Sequence, residues 1–222
     1  MSSRLRIATW NVHGLRAGVD AVAQVVRSEG VDILLIQESG PRGRLRALGA
    51  ALGMVVCADP PAFPRRRIQN AVLVRPPREV RSHRLVRFEG GSLLHPRGAV
   101  IARLDDVTTI SVHLGLESTE RARHVPQLLE IVRDVKQPPV VGGDLNTQPG
   151  DASPARIAAS YPDAWTGVGE GGGSTYPSSN ATARIDFLFA GPTIQSLRAW
   201  TAGGTVSDHL MVVADLRMED EY

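Results

Sequence analysis

The chain has 222 residues, 42 % apolar and 22 % charged, the composition of a globular protein rather than a disordered one. No run approaches the ~20 apolar residues of a transmembrane helix, Met1–Ile7 has no signal-peptide core, and the lone Cys57 excludes an internal disulfide, so a single cytoplasmic domain over 1–222 is expected. The net charge of +2 conceals a split: residues 1–103 carry 17 arginines against 7 acids, and residues 104–222 carry 8 bases against 16 acids.

In chain order, Leu5–Trp10 alternates as a strand, and the run Val31–Ile36, apolar except at Asp32, suits a strand buried on both faces. Between them Ala21, Val22, Val25 and Val26 share a helical face that stops at Gly30. Arg44–Leu52, with Leu45, Leu48 and Leu52 in line, is a second helix, and Val125, Leu128, Leu129 and Val132 mark a third before Pro138 and Pro139. Further strands are predicted at Met54–Cys57, Ala71–Val74, Ala99–Leu104, Thr109–Val112, Val140–Val141, Phe187–Phe189 and Met211–Leu216. The loops at Pro60–Arg67, Pro76–Pro77, Phe88–Pro96 and Gly167–Asn180 are too short for domain linkers. Many strands with irregularly interspersed helices fit an α+β or layered α/β domain better than a regular βαβ array.

Chemistry gathers at strand ends. Asn11, Glu38, His113, Asp144 and Asn146 follow strands, whereas Asp186 and the Asp208-His209 pair precede them. If strands running one way carry these groups at their C-termini and strands running the other way at their N-termini, all share one rim. Carboxylates and amides without cysteine favour a hard ion, Mg²⁺ or Mn²⁺, and a neighbouring histidine adds a proton acceptor or phosphate donor. Together they point to metal-assisted hydrolysis of a phosphate ester. A zinc site from His13, His113 and His209 is disfavoured, because no His-x-x-x-His or similar pair occurs.

Thr9-Trp10-Asn11, Gln37-Glu38, Ser111-Val112-His113-Leu114, Gly143-Asp144-Leu145-Asn146, Arg184-Ile185-Asp186-Phe187 and Ser207-Asp208-His209, in that order, resemble the endonuclease/exonuclease/phosphatase superfamily, the deoxyribonuclease I-like group. The resemblance spans residues 5–216. It implies an α/β four-layer sandwich, two mixed sheets packed face to face with helices outside. It makes Glu38 the principal metal ligand, assisted by Asn11 and Asp208. Asp144 and Asn146 would orient or activate the attacking water, and His209, oriented by Asp186, would contact the phosphate. The general base, Asp144 or the Asp186–His209 pair, stays open. His113 stands where repair enzymes of the exonuclease III type often carry tyrosine, and His13 stands where many carry an acid, which tilts the chain away from abasic-site repair.

For the substrate, Arg97 and Arg184 are the expected contacts. The basic stretch of Arg65–Arg67, Arg75, Arg78, Arg81, Arg84 and Arg87 reads better as a solvated strand edge than as a track for a phosphate backbone. With few aromatics available for stacking, a nucleic-acid partner would be bound without sequence specificity. The resulting expectation is a monomeric Mg²⁺- or Mn²⁺-dependent phosphodiesterase, with a nuclease among the candidates; the alternative is a phosphatase or phosphodiesterase of a small metabolite or lipid headgroup. A silent binding module on the same fold is disfavoured, since no expected acidic or histidine position is lost.

Overall fold

The computed structural model describes residues 4–59 and 66–218, so Arg65 and most of the Pro60–Arg67 loop lie outside the described residues. The elements run β1 (Arg4–Asn11), α1 (Val19–Ser28), β2 (Ile33–Gln37), α2 (Arg42–Leu52), β3 (Val55–Ala58), β4 (Ala71–Val74), β5 (Ser82–Arg87), β6 (Gly98–Arg103) and β7 (Thr108–His113). After them come α3 (Ser118–Arg133), β8 (Pro139–Asp144), α4 (Ala152–Ala158), β9 (Asp186–Ala190), β10 (Ile194–Ala202) and β11 (Met211–Met218).

The strands form two mixed sheets, of order β10-β11-β1-β2-β4-β3 and β5-β6-β7-β8-β9. Period-2 alternation builds the layers. In β1 and β2, Leu5, Ile7, Ile33 and Leu35 meet Val100, Val140 and Leu188 of the other sheet in the central core. Their neighbours Ala8, Trp10, Leu34 and Ile36 turn outward onto Val22 and Val26 of α1 and Leu45 and Leu48 of α2. The second sheet does the same: Ile101, Ile110, Val141, Phe187 and Phe189 pack on Val125, Leu128 and Leu129 of α3. The result is the expected four-layer α/β sandwich. It also explains why Ile33–Ile36 shows no polar position: both faces of β2 are covered.

The sheets approach closely at Gly142. A Cβ there would lie 2.6 Å from Leu188, 2.7 Å from Leu35 and 3.2 Å from Thr9, so a side chain would push the layers apart. Polar side chains tie the sheets beneath the site. Gln37 Nε2 donates to Ser111 Oγ (3.1 Å) and Thr9 Oγ1 (3.2 Å), and Asn70 Nδ2 donates to the carbonyls of Gly98 and Ser111. Cys57 is buried in the central core, where burial pushes its thiol up to about 11. Among the described residues no helix is long and apolar enough to cross a membrane.

Candidate active site

Strand direction assembles the rim. β1 and β2 are parallel and place Asn11 beside Gln37, with Glu38 next in the chain. β7 and β8 are parallel and place His113 beside Asp144; β9 is antiparallel to β8 and sets Asp186 opposite Asp144. β11 runs antiparallel to β1, so the segment just before it, Asp208-His209, returns to the same end. Ser207 pins that return by donating from Oγ to the Asn11 carbonyl (2.7 Å), and Trp10 Nε1 donates to the His209 carbonyl (2.9 Å). The outer core is thereby linked directly to the rim.

Asp144 is the hub. Its Oδ2 accepts from Asn11 Nδ2 (3.1 Å), lies 3.3 Å from His113 Nε2 and 3.9 Å from His209 Nε2, while Oδ1 accepts the Asn146 amide (2.9 Å). Asn146 reaches this position through a left-handed backbone (φ 52°) and donates from Nδ2 to the Leu114 carbonyl. Burial alone would raise the Asp144 carboxyl. His113 and His209, with the Asn146 amide, outweigh it and hold the group below the usual carboxylate range.

Behind the hub, Asp186 Oδ2 lies 2.8 Å from His209 Nδ1. For His209, burial works against the charged form, but Asp186, Asp144 and Asp208 prevail and push its pKa up to about 9. Burial raises the Asp186 carboxyl despite its bond to His209. Its other oxygen, Oδ1, is buried without a hydrogen-bond partner. Tyr176 tilts against the His209 ring at 4.9 Å. Sequence reasoning did not single out Tyr176; the available signal was a lone aromatic in a Gly- and Ser-rich loop. That loop is a strapped connection, because the Thr175 carbonyl accepts the Leu210 amide and the Asp208 carbonyl accepts the Ser178 amide, both at 2.8 Å.

On the other flank, Arg97 Nη1 is 2.8 Å from each ring nitrogen of His113. A tautomer with the proton on Nε2 donates to Asp144 and accepts from Arg97 at Nδ1. Burial draws the Arg97 guanidinium down from its ordinary value, against Asp144, Glu38 and Glu120, and a guanidinium remains cationic throughout. Arg97, His113 and Glu38 line one end of a cleft of about 950 Å³, whose other walls include Pro41, Arg42, Arg66, Leu94, His95 and Pro96. Glu38 has a left-handed backbone (φ 49°), and its carboxylate has no hydrogen-bond or ion-pair partner among the described residues.

The structure departs from the sequence expectation at Arg184. Its Nη2 lies 2.7 and 2.6 Å from the two Asp163 oxygens, and its guanidinium packs over Trp165 and Phe187, so its charge is committed within the fold. It is not among the cleft-lining residues. Asp208, half exposed, faces His13 Nδ1 at 3.4 Å instead of the Asp144 hub. Three arginines of the basic stretch are also paired: Arg67 with Asp59, Arg78 with Asp106, and Arg81 with Asp105 and Glu79.

The residues present fit a hard cation. Ligand atoms of Asp144, Asp186 and His209 all lie within 4.8 Å of one another, Asp186 Oδ1 is unsatisfied, and the donors are mainly oxygen. Neither Glu38 nor Asp208 joins that trio, and His13, His113 and His209 form no cluster of their own among the described residues.

A two-sheet sandwich with carboxylates, amides and histidines gathered at one end defines a class of hydrolase-like α/β proteins. The sequence profile of the endonuclease/exonuclease/phosphatase family matches residues 8–209, and the chain belongs to that family. A search of curated protein sequences finds no significant match. Among solved structures, an endonuclease/exonuclease/phosphatase from Bacteroides vulgatus superposes with a TM-score of 0.84 at 18 % identity, covering 98 % of this chain and 100 % of that one. A mannosyl-6-phosphatase from Bacteroides thetaiotaomicron gives 0.79 at 16 %, covering 96 % and 99 %. A family protein from Beutenbergia cavernae gives 0.73 at 22 %, covering 97 % and 72 %. At these identities the likeness concerns the fold. Family membership and the Asp144–Asp186–His209 cluster support a metal-dependent phosphoesterase in general.

Proposed function

We propose that the protein is a Mg²⁺- or Mn²⁺-dependent phosphodiesterase that hydrolyses its substrate by in-line attack of water, acting in the cytoplasm as a monomer. The observation that carries the reading is the Asp144 hub, where Asn11, His113, Asn146 and His209 converge on one ionised carboxylate. When bound, the divalent ion supplies Lewis-acid stabilisation of charge on the phosphoryl oxygens. Glu38 and Asn11, adjacent at the ends of β2 and β1, would hold it.

The protein groups divide the remaining work by protonation state. His209, pushed up to about 9, is an imidazolium at neutral pH and donates from Nε2 to a non-bridging phosphate oxygen. Asp186 fixes the ring through Nδ1 and balances its charge. Asp144, held ionised, accepts a hydrogen bond from the attacking water and orients it. His209, already protonated at neutral pH, has no lone pair with which to take the water's proton, which weighs against the Asp186–His209 pair as the base. Asn146 and Arg97 donate toward the phosphate, and the cleft beside Arg97 accommodates an organic substituent.

The test is hydrolysis of bis-p-nitrophenyl phosphate against the mono-p-nitrophenyl ester, with Mg²⁺ or Mn²⁺ and with EDTA. The reading requires metal-dependent diester cleavage that EDTA abolishes. Cleavage of the monoester alone makes the protein a phosphatase, and no cleavage of either by wild type, with the metal bound, overturns a hydrolytic role.

A further inference from the structure

Large apolar side chains left in water mark contact surfaces when they cluster. Among the described residues five such side chains are exposed: Val55, Leu93, Leu94, Leu116 and Tyr176. Val55 begins β3 at the end opposite the catalytic rim, since it pairs with Val74, itself opposite Ile33 at the start of β2. The other four lie on loops at the catalytic end. Leu93 (88 % exposed) and Leu94 (63 %) sit between β5 and β6, and Leu116 (65 %) follows β7.

The two leucine-bearing loops meet at Glu120 of α3. Its Oε1 accepts the Ser92 amide (2.9 Å), and Gly115 packs so closely that a Cβ there would lie 2.3 Å from Oε2. The Leu93 loop is fastened along its length. Gln127 accepts the Glu89 amide and donates to its carbonyl, Arg123 donates to the Gly90 carbonyl, and Ser92 Oγ accepts the amides of Leu94 and His95. Gly91 lies over the His124 ring. The backbone is thus anchored inward while Leu93 and Leu94 project outward, the reverse of a loop that folds to hide its leucines.

Toward the cleft the lining is basic, with Arg42, Arg66, Arg67 and Arg97 against Glu38. Arg66, His95 and Arg97 border Leu94 in the cleft, and Arg121 donates to the Gly115 and Leu116 carbonyls. The nearby acids are Glu38 in the cleft, Glu89, Glu117 and the engaged Glu120. Nucleic acid would use the arginines but gives Leu93 nothing to contact. A second copy of the chain needs about 800 Å² per partner, more than three leucines supply. Leucines on a tethered loop tip with arginines at their base match an anionic bilayer, where apolar tips enter the interface and guanidinium groups meet headgroup phosphates.

We infer that the loop carrying Leu93 and Leu94, with Leu116 and the neighbouring arginines, docks the protein on an anionic lipid surface with the catalytic cleft facing it. The docking stands independently of the proposed hydrolysis. Co-sedimentation of the full chain is measured with vesicles of phosphatidylcholine alone and of a two-to-one mixture with phosphatidylglycerol. Wild type pellets with the mixed vesicles and less with the neutral ones. Leu93→Asp weakens partition about tenfold or more, and Arg66→Ala weakens it about fivefold. Leu93 does not line the cleft, so Leu93→Asp keeps its circular dichroism and its rate on soluble bis-p-nitrophenyl phosphate. Failure of wild type to pellet with mixed vesicles overturns the inference. So does unchanged pelleting of Leu93→Asp, or displacement from vesicles by a single-stranded oligodeoxynucleotide that binds Leu93→Asp and wild type equally. Vesicle binding that depends on Leu93, in a protein inert toward bis-p-nitrophenyl phosphate, sustains the docking and removes only the hydrolytic reading.

Discussion

Asp186 and His209 form a buried carboxylate–imidazole pair, with Oδ2 2.8 Å from Nδ1 and the opposite ring nitrogen directed toward Asp144, 3.9 Å away. The bond fixes which nitrogen faces the hub, and the carboxylate keeps the ring charged although burial opposes the charge. Replacement by asparagine retains an acceptor for Nδ1 but deletes the charge. Asp186→Asn is therefore expected to bring the His209 pKa from about 9 toward its ordinary 6.5. Turnover should fall about a hundredfold or more, with KM changed far less. Imidazole NMR titration and the pH profile of kcat check this; an unshifted His209 titration would separate the pair electrostatically.

The same charges set how the metal-free protein's stability depends on pH. The folded pKa of His209 lies above its ordinary 6.5, so its stabilisation is complete below that pH and is lost as pH rises through about 9. Asp144 is depressed below its ordinary 3.8, so its contribution is present above that pH and is lost as pH falls through the folded value. Asp186, raised, works against Asp144 on the acid side. In EDTA the melting temperature should therefore decline from pH 6.5 toward 9.5, and His209→Gln should flatten this alkaline limb. A decline of equal slope in His209→Gln assigns the limb to other groups.

Arg184 illustrates how a residue can sit in a functional motif and still serve the fold. Its charge is paired with Asp163 and packed over Trp165 and Phe187, with both partners of the pair nearly buried. Arg184→Met leaves the Asp163 carboxylate without its partner and should cost about 3 kcal/mol. Adding Asp163→Leu should restore part of that loss, because the orphaned charge goes too. Urea denaturation measures both. KM for bis-p-nitrophenyl phosphate should stay within about twofold in the folded variant; a tenfold rise at unchanged stability returns Arg184 to the substrate.

What could be read from sequence depended on how strongly burial wrote itself into the residues. β2 and β4 are covered on both faces and appear as apolar runs, and the rim groups stand out because they interrupt that pattern at strand ends. β5, Ser82–Arg87, is an edge strand with three exposed residues at its start, so its outline is visible only as a basic stretch. β10 is a second edge strand, mixed polar and apolar along its length and bulged between Ser196 and Arg198. α4 spans seven residues with three alanines and carries too little apolar periodicity to register. The motif order identified the chemistry of Asp144, but not that Arg97 would lie against His113, since that contact depends on the β6–β7 register. Nor could spacing reveal that Asp163 occupies Arg184, because the two meet through tertiary packing.

Metal placement gives the sharpest remaining discrimination, since two ligand sets compete. The Asp144–Asp186–His209 trio is compact, but its histidine carries a proton at neutral pH, and an imidazolium cannot ligate until that proton leaves. Glu38, by contrast, presents a carboxylate with no partner among the described residues, at the cleft end shared with His113. The balance favours an ion held by carboxylate and amide oxygens, with His209 left charged to meet the phosphate. Glu38→Ala should raise the Mg²⁺ concentration for half-maximal activity at least about tenfold, whereas His209→Ala should lower turnover and leave Mn²⁺ affinity near that of wild type. Calorimetric titration with Mn²⁺ in buffers of different ionisation enthalpy reads this directly. Little proton release near pH 7.5 is expected; release of close to one proton, abolished by His209→Ala, would place the ion on the trio instead.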